Sequence, residues 1–327
     1  MKEKDIMVKV KDSHLQDIDE YYEDLTIFFC EVYQADETTV QEYIALLMDY
    51  EYQYAVKWFE ICAYSDNKLV GFQRILRNPE HVTEWLFCDL HILPDYRRRG
   101  IATSMYKKAI ELVKRYYATE RVIASIEGNN RISVAVHEKN GFHNTLQKSQ
   151  FADFEFADNE TIYERWIFNC IPAKNTEIHI KLLLPIWTAY LKEIGQNRSE
   201  EEYLDSLQKR INVSMNSERV FFDIIWCGDN AAGFVFYSID REIKNLLPSG
   251  LGYIMEFYIK PEYRYKYLAS QVIDELYDFF HDNGCPGIYL TPSANSIEFY
   301  KKLGFIDSEL KDPDNKRNIF IKEITPN

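Results

Sequence analysis

Residues 84–105 read EWLFCDLHILPDYRRRGIATSM. The apolar run Glu84–Leu93 is strand-like and stops at Pro94. A turn, Arg97–Gly100, then leads into TSMYKKAIELVKRYY (103–117), whose apolar residues recur at helical spacing. The first amides of a helix have no partner within it and point outward, so a strand, a tight turn and a helix start together form a ready anion site. Gly100 has no Cβ, which lets the backbone approach an anion closely.

The same pattern returns 167 residues later. Residues 94–105, PDYRRRGIATSM, are matched by residues 261–272, PEYRYKYLASQV, after the apolar run GYIMEFYIK (252–260). Each helix is followed by a short strand, RVIASIE (121–127) or GIYLTPS (287–293). Each strand leads to a second helix with a glycine-aromatic stop, SVAVHEKNGF (133–142) or SIEFYKKLGF (296–305). Gly141 and Gly304 fit the position just past a helix end, where a positive φ is cheap only for glycine. Upstream, residues 14–52 and 182–217 each read as two helices. Each pair runs into two strands joined at DNK or GDN, turns suited to hairpins. The reading is therefore an α/β protein with mixed sheets and two copies of one unit, each ordered β-α-α-β-β-β-α-β-α-β-β. The domains are expected at 1–168 and 175–327, joined near CIPAKNTE (170–177).

Composition narrows the function classes. Hydrophobic residues make up 46% and charged residues 28%, which suits a globular chain and not a disordered one. No run approaches the roughly 18–20 apolar residues of a membrane span, and the start, MKEKDIMVKVKDSHLQ, has no apolar signal core. The net charge of −14 argues against nucleic acid as a partner and favours a cationic one. The six cysteines hold no CxxC pair, so reduced thiols in a cytoplasmic protein and no metal site are expected.

The sequence resembles the GNAT superfamily of acetyl-CoA-dependent N-acetyltransferases. Its first signature, (Gln/Arg)-x-x-Gly-x-(Gly/Ala), is matched by Arg97-Arg98-Arg99-Gly100-Ile101-Ala102. Its second, Asn-x-x-Ala-x-x-(Leu/x)-Tyr-x-Lys-x-Gly-Phe, is matched at Asn130, Lys139, Gly141 and Phe142 of NRISVAVHEKNGF; Ser133 replaces Ala and His137 stands at the Tyr position. The resemblance covers both halves and implies two tandem GNAT-like acyl-CoA N-acyltransferase domains. The second copy departs from the pattern: Tyr267 stands where Gly100 stands, and Ser293 replaces the Asn at 130, while Tyr300 keeps the family's tyrosine. The first copy is thus expected to be the catalytic one and the second a degenerate relative.

The resemblance implies acetyl-CoA as co-substrate. Leu90, His91 and Ile92 would flank the thioester, with a free backbone N–H polarising its carbonyl. Arg98, Arg99, Gly100, Ile101, Ala102, Thr103 and Asn130 would hold the rest of the cofactor, the amides of 98–103 facing the pyrophosphate. An amine acceptor must lose a proton and the thiolate must gain one. Glu84 and Asp89 are the candidate bases. Strand alternation puts them on opposite faces unless a bulge intervenes. His137 is the candidate acid in place of the tyrosine, with Tyr106, Tyr116, Tyr117 or water as alternatives. The implied acceptor is a small-molecule or peptide amine. Residues 1–51 hold 14 Asp plus Glu against four Lys, among them Asp17, Asp19, Glu20, Glu23, Asp24, Glu31, Asp36 and Glu37. Such a rim would attract a polycationic amine. The expected assembly is a monomer or homodimer. A non-catalytic CoA-binding module, or an acyltransferase with another acyl donor, stays open as an alternative.

Overall fold

The computed structural model describes residues 6–12, 18–54, 57–116, 118–152, 154, 156–239 and 246–324. It contains two compact units, Met1–Ile167 and Phe168–Asn327.

The first unit runs β1 (Ile6–Asp12), α1 (Ile18–Tyr33), α2 (Glu37–Tyr54), β2 (Trp58–Ser65), β3 (Lys68–Arg77), β4 (Glu84–Ile92), α3 (Ile101–Val113), β5 (Arg121–Glu127), α4 (Arg131–Lys139), β6 (His143–Lys148) and β7 (Glu160–Trp166). The second runs β8 (Asn169–Pro172), α5 (Glu177–Glu193), α6 (Glu200–Met215), β9 (Val220–Cys227), β10 (Asn230–Ile239), β11 (Gly252–Ile259), α7 (Leu268–Asp282), β12 (Gly287–Leu290), α8 (Ile297–Lys302), β13 (Ile306–Lys311) and β14 (Asn318–Glu323). The two units share the element order expected from the repeat. Residues 169–172, which overlap the stretch 170–177 read as the junction, form β8, which pairs with β9 as the edge strand of the second sheet.

The first sheet is ordered β1-β2-β3-β4-β5-β7-β6 and the second, read from its other edge, β8-β9-β10-β11-β12-β14-β13. Among the described residues only β4/β5 and β11/β12 are parallel. The β2–β3 hairpin closes through Asp66 and Asn67, both with positive φ, as a two-residue turn that follows the sheet's twist requires.

Both helical layers of the first unit bury apolar stripes on this sheet. On α1, Leu25, Phe28 and Phe29 are buried, and Phe28 and Phe29 pack on Phe72 of β3. On α3, Ile101, Met105, Ala109, Ile110 and Val113 recur at helical spacing and are buried.

Two features of the sheet shape the site. First, β4 and β5 pair only from Glu84↔Arg121 to Leu86↔Ile123, while β5 pairs with β7 along its whole length. From Phe87 onward β4 diverges from β5 and opens a cleft. In the second unit β11 and β12 likewise pair only over 252–254 and 288–290. Second, β4 carries a bulge: Arg74 faces Cys88 and Phe72 faces His91, so Asp89 and Leu90 together stand opposite Gln73. Asp89 takes φ +51° there.

Candidate active site

The signature loop leaves the open end of β4. A 3-10 turn, Pro94–Tyr96, is followed by extended Arg97, by Arg98 at φ +61° and by Gly100 at φ +76°, ψ 0°, which starts α3. Arg97 Nε donates to the Ile92 carbonyl at 3.0 Å and ties the loop to the strand. Arg99 donates to the Asp95 carbonyl and its guanidinium lies over the Tyr96 ring. The first helical bond of α3 is Ser104 N–H to Gly100 O, and no side chain caps the helix. The amides of Ile101, Ala102 and Thr103 are thus left directed out of the helix end. A Cβ built on Gly100 meets nothing within 4 Å, so the loop's outer side is open. Ile101 contributes backbone alone, because its side chain is in the core.

Asn130 serves the fold directly. Its side chain accepts from Ser133 N–H at 3.1 Å and caps α4. Gly141 takes φ +80° at the end of α4, and the chain closes with Phe142 N–H donating to the His137 carbonyl.

The second unit repeats the loop's backbone without glycine. Arg264 donates to the Ile259 carbonyl as Arg97 does to Ile92, and Tyr265 and Tyr267 both take φ +59°. Holding a non-glycine residue in this region costs about 1–2 kcal/mol. Tyr267 projects its side chain from the position that Gly100 leaves open. Tyr300, the retained family tyrosine, is buried against Phe299 and Phe305.

The candidate bases are separated by the fold. Glu84 lies at the closed end of β4, where β5 still pairs with it. Its carboxylate accepts from Asn78 Nδ2 at 2.8 Å and pairs with Arg121 Nη2 at 2.6 Å. Five residues of strand, about 16 Å, separate it from the bulge. Each of its oxygens thus has a partner, and the group is held at the closed end of the strand. Asp89 sits in the bulge on the open half of β4 and pairs with Arg74 Nε at 2.7 Å. Arg74, a buried cation, carried no signal in the sequence reading.

His137, the candidate acid, is built into the core. It is 5% exposed, and Tyr106, Phe142 and Tyr163 surround its ring. Nδ1–H donates to the Ser133 carbonyl at 2.8 Å. A carbonyl only accepts, so Nε2 is the acceptor for the Tyr106 hydroxyl at 2.6 Å. Burial pushes the imidazole down to about 4 despite the Ser133 bond. A neutral ring with its single N–H committed has no proton to give at pH 7. Burial raises the Tyr106 phenol well above its ordinary range. Tyr116 packs on Phe59 and Trp85 near the closed end of β4, and Tyr117 lies outside the described residues.

Above the bulge, α1 and α2 bring aromatic groups to the open half of β4. Phe29 stacks on Tyr33, Tyr43 meets both edge-on, and His91 meets Phe29 and Tyr33 edge-on. Tyr33 Oη lies 3.2 Å from His91 Nε2 and 3.4 Å from Tyr43 Oη. Tyr33 and Tyr43 escaped the sequence reading, because helix–sheet contacts are not local in the chain. Leu90 and Ile92 pack on the core beside them. Between them, α1 and α2 also enclose a groove of about 1130 Å³ that includes Glu23, Glu31 and Glu37 with Ile27, Cys30 and Ile44. Glu31 pairs with Lys68. Asp17 lies outside the described residues, as do the side chains of Asp19 and Glu20. No cluster of metal-ligating side chains occurs among the described residues, and none of their helices is long and apolar enough to cross a membrane.

The chain is similar to an N-alpha-acetyltransferase of Saccharolobus solfataricus, at 30% identity over 88 residues. The match takes in 27% of this chain and 53% of the relative, so the chain spans about half the length of the curated relative it matches. Among solved structures it is similar to an acetyltransferase of Thermus thermophilus, at 13% identity and a TM-score of 0.39 over 48% of this chain and 96% of that one. It is also similar to the PaiA N-acetyltransferase of Thermoplasma acidophilum, solved in complex with coenzyme A, at 13% identity and a TM-score of 0.33 over 49% and 99%. The family model for the acetyltransferase (GNAT) family matches twice, over residues 18–142 and 182–305. With the same element order and the same diverging parallel strand pair in both units, this chain belongs to the acetyltransferase (GNAT) family and carries two copies of its fold.

Proposed function

We propose that the first domain transfers the acetyl group of acetyl-CoA to the amine of a small cationic molecule or peptide, and that the second is a degenerate copy. The observation that carries this reading is the pairing of an open, uncapped helix start at Gly100 with the cleft where β4 leaves β5. A pyrophosphate at the amides of 98–103 would gain helix-terminus stabilisation of about 0.3–1 kcal/mol per contact, more when shielded. The thioester would then reach into the cleft. There the amides of β4 no longer pair with β5 and one is available to polarise a carbonyl. The acidic groove between α1 and α2 supports a cationic acceptor. The fully projecting Tyr265 and half-exposed Tyr267 support a second copy without a competent cofactor loop.

The test is calorimetric titration with CoA, followed by thiol release from acetyl-CoA in the presence of spermidine, an aminoglycoside and a peptide with a free N-terminal amine. Binding at one site per chain with amine-dependent thiol release is expected. Binding without turnover of any amine would favour a CoA-binding module. CoA esters of longer acyl groups found on the purified protein would favour another donor.

A further inference from the structure

We propose that His91 is the proton shuttle of acyl transfer in the first domain, with Tyr33 as the residue that positions it; this rests on the acetyltransferase reading above. His91 lies on the open half of β4, three residues before Pro94. Its cross-strand partner is Phe72, which packs on α1, so the imidazole leaves the strand on the α1–α2 side of the cleft. Edge contacts with Phe29 and Tyr33 fix the ring plane. Nε2 is held by the Tyr33 hydroxyl at 3.2 Å. Nδ1 has no hydrogen-bond partner among the described residues and is not among the buried unpartnered atoms, so it is open. A ring with one nitrogen anchored and the other open is oriented to exchange a proton.

The neighbouring carboxylates are less suited. Glu84 is bound to Arg121 and Asn78, and Asp89 to Arg74. Tyr33 of α1, Asp89 of β4 and Arg97 of the loop act on His91 directly; behind them Tyr43 of α2 is bonded to Tyr33, and Arg74 of β3 is paired with Asp89. Burial pushes the imidazole below its ordinary value, Asp89 opposes this and Arg97 adds to it. The ring is therefore neutral at pH 7 and able to accept.

The step balances without a further reactant. The neutral amine forms the C–N bond and the carbonyl π pair moves to oxygen. The ammonium proton of the adduct passes to Nδ1 of His91. The oxygen pair re-forms C=O, the C–S bond breaks, and the departing thiolate takes the proton from Nδ1. Amide and thiol leave, and the imidazole is neutral again.

The test uses the full chain, acetyl-CoA and the three amines named above. His91→Gln should lower kcat by about 10²–10⁴, as loss of a proton-transfer group does, with CoA affinity unchanged by calorimetry. It should also remove the acidic limb of the pH–kcat profile. Tyr33→Phe should lower kcat about tenfold, leave KM for acetyl-CoA unchanged and keep that limb. If His91→Gln turns over like the parent with its acidic limb intact, the shuttle assignment falls and the acetyltransferase reading stands. If the parent binds no CoA and acetylates none of the three amines, both fall together.

Discussion

The Tyr106 hydroxyl and His137 Nε2 lie 2.6 Å apart and buried, one on α3 and one on α4. The position that aligns with the family's tyrosine is thereby turned into a strut between two helices. A titration follows from it. The unfolded imidazole takes up a proton near pH 6.5, whereas the folded one resists until about 4. Stability from the neutral ring is complete above about pH 6.5 and is lost as pH falls toward 4, because the unfolded chain then binds the extra proton. His137→Gln keeps polar atoms for both partners and does not titrate. Between pH 7 and pH 5 the parent should lose about 2 kcal/mol more than this variant in urea unfolding. Equal losses would show that His137 is not buried as a neutral ring.

Replacing Gly100 tests the cofactor loop against its own copy. Tyr267 shows that a tyrosine holds this backbone conformation, so Gly100→Tyr should fold. It should weaken CoA binding tenfold or more, about 1.4 kcal/mol, by filling the side that is now empty. The reverse change, Tyr267→Gly, should not create a second full-affinity site. Unchanged CoA affinity in Gly100→Tyr would place the cofactor elsewhere.

The fold was legible because its signals are local and occur twice. The apolar run, the Arg-Gly turn and the glycine stops after α4 and α8 each depend on a few neighbouring residues. Asp66 and Asn67 even supplied the positive-φ turn. The site was legible only where backbone makes it. Gly100 and the amides after it are dictated by their own sequence. The side chains depend on the bulge, which changes the face of every residue after Cys88 and cannot be read from alternation. That is why Asp89 reaches Arg74; Glu84, before the bulge, is decided instead by two partners outside its own strand, Asn78 and Arg121. The surroundings of His137 are hidden from the sequence for a related reason. The motif gives its position in the helix, but its partner, Tyr106, comes from another helix.

The Asp89–Arg74 pair gives a prediction on stability. The Arg74 side chain is 4% exposed and that of Asp89 is 25%. Removing one partner of such a pair leaves the other charge poorly compensated and typically costs about 3–5 kcal/mol. The partial exposure of Asp89 puts the expected value toward the lower end. Asp89→Asn should lower stability by about 3 kcal/mol in denaturant unfolding, and Arg74→Met with Asp89→Asn together should cost less than the sum of the two changes. Additive losses would mean the two groups are not coupled.

The acidic groove predicts which acceptors the protein prefers. Glu23 and Glu37 are exposed and line the groove between α1 and α2 from opposite sides, where they contribute negative charge. Exposed charges act mainly through long-range attraction, which salt screens over about 10 Å at 0.1 M. The double change Glu23→Gln with Glu37→Gln should therefore raise KM for spermidine on the order of tenfold at low salt. kcat should stay the same, since the field of two exposed charges acts on encounter rather than on the bonds that form and break. The difference from the parent should shrink as salt is raised to about 0.5 M. A peptide whose sole cation is its N-terminal amine should be far less affected, because one charge samples the same field more weakly than three. If spermidine and the peptide respond equally, or if the change survives high salt, the groove does not select by charge and the acidic face serves solubility alone.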